Sequence, residues 1–158
     1  MNVLMILNQS FPGDIRVEKE CKALAANGHK ILVTSTGAKD NEYEFAKIAS
    51  ISSKGTGLIS KFLLRTLRRL PLVFARVTEA ASDFYPDVIH VHDLQWASLG
   101  LKLSLKYGAK LVLDFHENFP AALEAGRISG GPLLRRVAYF LSSDPKRWRA
   151  FELKMVGR

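Results

Sequence analysis

The sequence has only one cysteine, Cys21, among its 158 residues, and it has no run of about 18 consecutive apolar residues. The single cysteine excludes an intrachain disulfide framework and a thiolate metal cluster. The opening MNVLMIL leads into a polar turn and not into a signal-peptide cleavage site. With 47% hydrophobic residues, the chain is long enough for one domain core and too short for two. We therefore predict one cytoplasmic domain covering residues 1–158.

Acidic residues are missing from one long segment, where the excess of positive charge is concentrated. No Asp or Glu lies between Glu44 and Glu79, and LISKFLLRTLRRLPLVFAR interleaves leucine and phenylalanine with arginine and lysine. This composition is typical of a helix on an anionic membrane surface, although a domain helix with a solvated basic face fits equally well. The residues predicted to contact the inner face of the membrane are Lys61, Arg65, Arg68 and Arg69. A binding module for a membrane surface or for nucleic acid is an alternative function of this segment. Nucleic acid is the weaker option and not an expected partner, because a recognition motif and an aromatic stacking platform are missing from the segment.

Short apolar strands alternate with helical patterns along the chain. The predicted strands are Asn2–Leu7, Lys30–Ser35, a weaker one over Tyr43–Ser52, Val88–His92 and Lys110–Phe115. The predicted helices run from Asp14 towards Gly28, over the basic segment Leu58–Asp83 with a break at Pro71, over Gln95–Lys106, and from Pro145 onward. This alternation predicts an α/β fold, a Rossmann-like doubly wound and mainly parallel sheet with helices on both faces. In such sheets ligands bind beyond the carboxyl ends of the strands.

The first candidate group follows the first strand and comprises Pro12, Gly13, Asp14 and Arg16. Free N–H groups at a helix start and a nearby guanidinium can bind phosphate, whereas the alternative is an ordinary turn with a surface arginine. The GxGxxG and Walker lysine motifs are both absent, which removes most of the support for a dinucleotide or P-loop site.

The second candidate group is His90, His92 and Asp93, at the end of the strand VIHVH. Histidines at alternate positions of a strand share a face and could share a metal, which leaves a metal-dependent hydrolase as an alternative function. However, the chain has only four histidines and no second cluster with the required spacing. We therefore predict polar residues of the core or active site, and no metal.

The third candidate group is Asp114, His116 and Glu117, where the strand in LVLDFHENFP ends. Asp114 and His116 share a face of the extended chain, and Glu117 lies at the exit into a loop, where catalytic groups are commonly displayed. The alternative is a polar cluster that caps the sheet. An apolar strand that ends abruptly in three ionisable residues favours a functional role.

Taken in order, RVEKECKALAANGHKI, PDVIHVHD and KLVLDFHENFP resemble the N-terminal domain of glycosyltransferase family 4. The resemblance covers nearly the whole chain. It implies a retaining transferase of GT-B fold, in which this half holds the acceptor and a second half binds most of the nucleotide-sugar donor. No cofactor is implied, since the nucleotide sugar is a substrate.

The resemblance also implies roles for particular residues. By position, His116 resembles the catalytic histidine that approaches the transferred sugar, and Gly13 with its neighbours Asp14 and Arg16 occupies the loop that faces the donor diphosphate. This sequence has Pro12-Gly13 where the family commonly has Gly-Gly. The residues expected on the acceptor side are His92, Asp93, Asp114 and Glu117.

Two further expectations follow from the resemblance. The basic segment is similar to the membrane-docking region of phosphatidylinositol mannosyltransferases and related enzymes, which implies a lipid-linked or membrane-proximal acceptor. The family continues beyond FELKMVGR with a donor-binding domain. The chain is therefore expected to be a truncated N-terminal domain that is inactive on its own.

Overall fold

A six-stranded sheet lies at the centre of the structure, a computed structural model that describes residues 1–36, 39–51, 71–125 and 143–157. The strands are β1 (Asn2–Leu7), β2 (Lys30–Ser35), β3 (Asn41–Tyr43), β4 (Ala46–Ser50), β5 (Val88–His92) and β6 (Lys110–Asp114). Their order across the sheet is β3-β4-β2-β1-β5-β6, and every neighbouring pair is parallel except the antiparallel β3–β4 pair at the edge. The chain thus crosses from one side of β1 to the other between β4 and β5.

Helices cover both faces of the sheet. The helices of the described residues are α1 (Ile15–Ala26), α2 (Pro71–Ala80), α3 (Ala97–Tyr107), α4 (Phe119–Ala125) and α5 (Pro145–Val156), with a 3-10 turn over Leu94–Trp96 before α3. Alternate residues of β1 point to opposite faces. Met5 packs with Val17 and Cys21 of α1, whereas Ile6 packs with Val77 of α2 and with residues of α3. This arrangement confirms the predicted doubly wound α/β fold.

Two local features fix the position of α1. The Asp14 carboxylate accepts hydrogen bonds from the backbone N–H groups of Arg16 and Val17, which caps the helix and contributes about 1 kcal/mol. After the helix, Gly28 has a φ of +76°, a left-handed conformation that glycine adopts without strain. The helix therefore begins directly beyond the carboxyl end of β1 and returns the chain to the start of β2.

On the opposite face, α3 approaches the sheet closely at Gly100. A Cβ atom added at Gly100 would lie 2.3 Å from Cγ2 of Val91, so a larger residue would force the Val91 side chain of β5 to shift. This close approach holds the turn after β5, where candidate site residues lie, against the body of the domain.

The structure corrects several predicted boundaries. The strand predicted over Tyr43–Ser52 corresponds to β4, which covers only Ala46–Ser50, and a turn at Glu44 and Phe45 joins it to β3, which was not predicted. Strand β6 ends at Asp114 rather than at Phe115, α3 begins at Ala97, and α4 was not predicted. The predicted break at Pro71 stays a prediction, because residues 52–70 lie outside the described residues.

The part of the basic segment before Pro71 lies outside the described residues, and with it Lys61, Arg65, Arg68 and Arg69. Among the helices that the structure describes, none is both long and apolar enough to cross a membrane.

Candidate functional site

The carboxyl ends of β1, β5 and β6 meet at one edge of the sheet, on the face that carries α1. His92 and Asp114 are register partners on β5 and β6, so their side chains lie side by side at this edge. The start of α1 places Arg16 above them. The strand order reverses between β1 and β5, and this is the position at which open α/β sheets bind ligands.

The Asp114 carboxylate is the centre of the cluster. Its Oδ2 lies 3.4 Å from Nη1 of Arg16, 3.3 Å from Nδ1 of His92 and 3.4 Å from Nδ1 of His116. A carboxylate can accept from several donors at once, and these three come from α1, β5 and the loop after β6. Asp114 therefore fixes the relative positions of three separate chain segments.

Asp93 contacts the opposite side of the His116 ring. Its Oδ1 lies 3.8 Å from Nε2 of His116, and its backbone N–H donates to the carbonyl of Asp114 at 3.2 Å. The φ of Asp93 is +81°, a conformation that a non-glycine residue adopts at an energetic cost and that is found mainly at functional sites. Burial raises the pKa of Asp93, and the charge of His116 opposes this increase. The His116 ring thus lies between two aspartates.

The predicted phosphate loop already has carboxylate partners. Asp14 caps the first N–H groups of α1 and binds Nη2 of Arg16 at 3.4 Å, while the Gly13 N–H donates to Oε1 of Glu18 at 2.9 Å. Gln9 also donates to Asp14. An anion at this helix start would have to displace these carboxylates, whereas the sequence analysis expected free N–H groups. The Gly13 φ of +142° is one that L-residues rarely adopt.

Glu20, one turn after Arg16 on α1, is a site residue that the sequence analysis missed. Its Oε2 lies 3.9 Å from Nδ1 of His90 and 3.8 Å from Nε2 of His92. Burial, followed by the charge of Asp114, raises the pKa of Glu20. The available signal was the four-residue spacing of Arg16 and Glu20, which puts both on one side of α1.

The two histidines of β5 favour the neutral form. Burial lowers the pKa of His90, and burial together with the neighbouring His90 lowers the pKa of His92 to about 4. The His92 side chain is only 1% exposed, and its ring lies 4.2 Å from the His90 ring, centroid to centroid. At neutral pH both imidazoles are therefore uncharged and can accept a proton or a metal ion.

The structure brings most of the predicted site residues together. The residues in mutual contact are Asp14, Arg16, His92, Asp93, Asp114 and His116. Gly13 lies beside this cluster through the loop that caps α1, and Glu117 lies exposed at its rim.

Comparison with solved structures supports the fold. Sucrose-phosphate synthase from Thermosynechococcus elongatus is similar with a TM-score of 0.67 and 11% identity, over 100% of this chain and 41% of that chain. The glycotransferase of kitacinnamycin is similar with a TM-score of 0.50 and 13% identity, over 78% of this chain and 35% of that chain. At these identities the likeness shows the fold alone. The chain spans well under half the length of either protein.

Sequence comparison identifies the family. No curated protein matches this chain significantly. The model of Glycosyltransferase Family 4, by contrast, matches residues 15–158 and therefore includes the Arg16 helix, both histidines of β5 and the Asp114-His116 segment. The chain belongs to glycosyltransferase family 4 and forms a glycosyltransferase domain with the Rossmann-like architecture of a GT-B half.

Proposed function

We propose that this domain is the acceptor side of a retaining glycosyltransferase, which transfers a sugar from a nucleotide-sugar donor to a lipid-linked or membrane-proximal acceptor. The observation that carries the proposal is the convergence of Arg16, Asp114 and His116 at the carboxyl edge of the sheet. A guanidinium, a carboxylate and a partly exposed imidazole at one edge suit a substrate that combines a phosphate leaving group with a polar sugar.

In this proposal His116 orients the transferred sugar. Asp114 holds its Nδ1 side, and the ring is 29% exposed, so it can reach a bound substrate. The bond between the anomeric carbon and the diphosphate oxygen breaks, with its electron pair passing to the leaving diphosphate. The acceptor oxygen bonds to the same face of that carbon, and its proton passes to the leaving phosphate. His116 stabilises the positive charge that develops on the sugar and acts as a positioning and electrostatic group.

Arg16 is the proposed contact to the donor diphosphate. Its two ion pairs, to Asp14 and Asp114, are both 3.4 Å long, whereas charge-assisted hydrogen bonds are commonly about 2.7–2.9 Å. Nε of Arg16 is buried without a hydrogen-bond partner. A diphosphate could therefore replace a weak carboxylate contact and satisfy the guanidinium more fully, with Gly13 and Asp14 bordering the same loop.

The proposed acceptor residues divide into two groups. Asp93 and Glu117 lie at the open edge, where carboxylates can accept hydrogen bonds from sugar or polyol hydroxyl groups. Asp114 lies behind His116, and His92 is buried. His92 would therefore act on the acceptor only through the position of Asp114.

The proposal includes a second domain that binds most of the donor. The match covers 41% of the sucrose-phosphate synthase chain, and this share supports the proposal that a second domain supplies the other side of the cleft. We expect this domain alone to turn over no substrate. We also place the complete enzyme in the cytoplasm, at the inner face of the membrane, where its basic segment would meet anionic lipid.

The test uses the complete enzyme, with its donor domain, and a panel of nucleotide sugars together with a membrane lipid extract. Release of the nucleotide and transfer of labelled sugar to lipid are expected for one donor. NMR of the product is expected to show the anomeric configuration of the donor. Inversion of configuration would contradict the retaining mechanism, and transfer only to water-soluble acceptors would contradict the lipid-linked acceptor.

A further inference from the structure

The side chains of Glu20, His90 and His92 present one ligand atom each within 4.8 Å of one another. We propose that these three residues bind a divalent transition-metal ion, with zinc as the best-matched ion. The site goes beyond the proposed function, since no step of sugar transfer requires it. It joins helix α1 to strand β5, immediately behind the edge where His116 lies.

A buried ring nitrogen of His92 and a buried carboxylate oxygen of Glu20 are suited to share a cation. Nδ1 of His92 lies 3.3 Å from the Asp114 carboxylate, and because a carboxylate accepts hydrogen bonds we assign the ring proton to Nδ1, which leaves Nε2 with a lone pair. Nε2 of His92 and Oε2 of Glu20 are both buried without a hydrogen-bond partner. The distance between these two atoms is 3.8 Å. This separation is too long for a shared proton in a hydrogen bond. A metal ion between the two acceptor atoms would satisfy both.

The spacing of the ligand atoms fits a metal of moderate size. Bonds of about 2.0–2.1 Å in a tetrahedral site put ligand atoms about 3.4 Å apart. The distances from Oε2 of Glu20 to Nδ1 of His90 and Nε2 of His92 are 3.9 Å and 3.8 Å, and the three ligand atoms lie within 4.8 Å of one another, so closure around an ion requires them to approach by up to about 1.4 Å. Two imidazole nitrogens and one carboxylate oxygen form a ligand set that zinc and similar ions prefer and that magnesium and calcium do not.

The contact made by the other ring nitrogen of His92 is also one that metal-binding histidines make. Histidine ligands commonly donate their other ring N–H to a carboxylate, which fixes the tautomer and increases the basicity of the ring. Asp114 makes this contact with His92 at 3.3 Å.

The local charge favours a cation. Asp14, Glu20 and Asp114 lie together, and the ion pairs of the described residues place a single guanidinium, that of Arg16, among these three carboxylates. A divalent ion next to Glu20 would offset the remaining negative charge. It would also hold His92 in place, and through His92 the carboxylate that contacts His116.

The experiment measures metal binding to this chain, purified with EDTA and without a polyhistidine tag. Calorimetry with zinc is expected to show one equivalent bound with a Kd of about 1 µM or tighter, and zinc is expected to raise the melting temperature. Magnesium and calcium are expected to produce neither effect. The variants Glu20→Gln and His90→Gln should each weaken zinc binding about tenfold or more, whereas His29→Gln, which changes a histidine outside the cluster, should not.

Two results would overturn the site. One is a wild-type protein that binds less than about one tenth of an equivalent of zinc at a concentration of about 100 µM. The other is zinc binding that is equally strong in folded Glu20→Gln and His90→Gln proteins, as judged by circular dichroism, which would place the ion elsewhere. Because no readout depends on sugar transfer, failure of the glycosyltransferase proposal would leave the metal result unchanged.

Discussion

Oδ2 of Asp114 lies 3.4 Å from Nδ1 of His116, and the same oxygen contacts Arg16 and His92. One carboxylate thus joins the exposed imidazole at the sheet edge to a buried imidazole and to the first turn of α1. Movement of any of these partners changes the position of the others, because the oxygen is shared.

Replacing His116 with alanine in the complete enzyme is expected to lower kcat by roughly 100-fold or more, the size of effect seen when a preorganised polar contact to a transition state is lost. The fold should be unaffected, since the ring is partly exposed. Steady-state kinetics and circular dichroism measure both effects, and His29→Ala serves as the matched control. Near-normal turnover of the His116 variant would show that the Asp114-His116 segment has a structural role at the end of the sheet and no role in catalysis.

Replacing Asp114 with asparagine is expected to lower kcat about tenfold or more with a smaller change in KM, because Asp114 positions His116 and need not touch the substrate. Loss of a charge-assisted contact should also decrease the free energy of unfolding by about 1 kcal/mol. Kinetics and urea denaturation give the two values, with Glu124→Gln, an exposed carboxylate of α4, as the control. A variant in which KM alone changed would make Asp114 a substrate-binding residue instead.

Local sequence signals predicted most of the fold. Apolar runs fixed four of the strands, and the caps at Asp14 and Asp144 fixed the starts of α1 and α5 because capping depends on neighbouring residues alone. The β3–β4 hairpin was missed because its turn, at Glu44 and Phe45, has none of the glycine, asparagine or proline that mark turns.

The site was predicted less completely than the fold. Residues at strand ends were found because parallel strands bring their carboxyl ends to one edge. Glu20 was missed because its contacts with His90 and His92 join elements far apart in sequence, and no local pattern records that pairing. Likewise, the hydrogen bond from the Gly13 N–H to the Glu18 carboxylate depends on the path of the turn, which the sequence does not show.

The chain alone is expected to bind nucleotide sugars weakly, with a Kd well above about 100 µM. The physical reason is that the helix start predicted to meet the diphosphate is already capped by Asp14, and the proposed second domain supplies the rest of the cleft. Calorimetry with a panel of uridine, guanosine and adenosine diphosphate sugars measures this. Binding near 1 µM by this chain would show that the donor site lies in this half.

Reversing the charges of Lys61, Arg65, Arg68 and Arg69 to glutamate is expected to abolish co-sedimentation with anionic liposomes. Each basic residue near such a surface contributes about 1 kcal/mol to membrane binding, so loss of four should remove most of the binding free energy. The matched control reverses four exposed lysines outside the segment, Lys19, Lys30, Lys102 and Lys110. If the unmodified protein does not co-sediment with anionic liposomes at low salt, the segment is not a membrane-binding element of this domain.

Folding stability is expected to decrease as the pH falls below about 6.5, and the main cause is His92. Its pKa is lowered from 6.5 to about 4 by burial, so the unfolded chain takes up the proton first as the pH falls. The stabilisation is complete above pH 6.5 and is lost progressively towards pH 4. This single group should cost about 1 kcal/mol between about pH 6.5 and 5.5 and about 3 kcal/mol over the whole range.

Other groups modify this pH dependence. His90, whose pKa is also lowered, acts in the same direction as His92. Glu20 and Asp93 have raised pKa values, so the folded state binds their protons first and gains stability as the pH falls through those values. Their effect opposes that of the histidines at the acidic end, and the decrease should therefore be steepest between about pH 6.5 and 5.

Urea denaturation at several pH values, in EDTA so that no metal competes with protons for His92, measures this dependence. The slope of stability against pH should be smaller in His92→Gln and unchanged in His29→Gln, which alters a histidine at the start of β2. A wild-type stability that stays constant or rises between about pH 7 and 5.5 would mean that His92 is protonated in the folded protein. In that state its Nε2–H could donate to Glu20, and the imidazole would no longer be available to a metal ion.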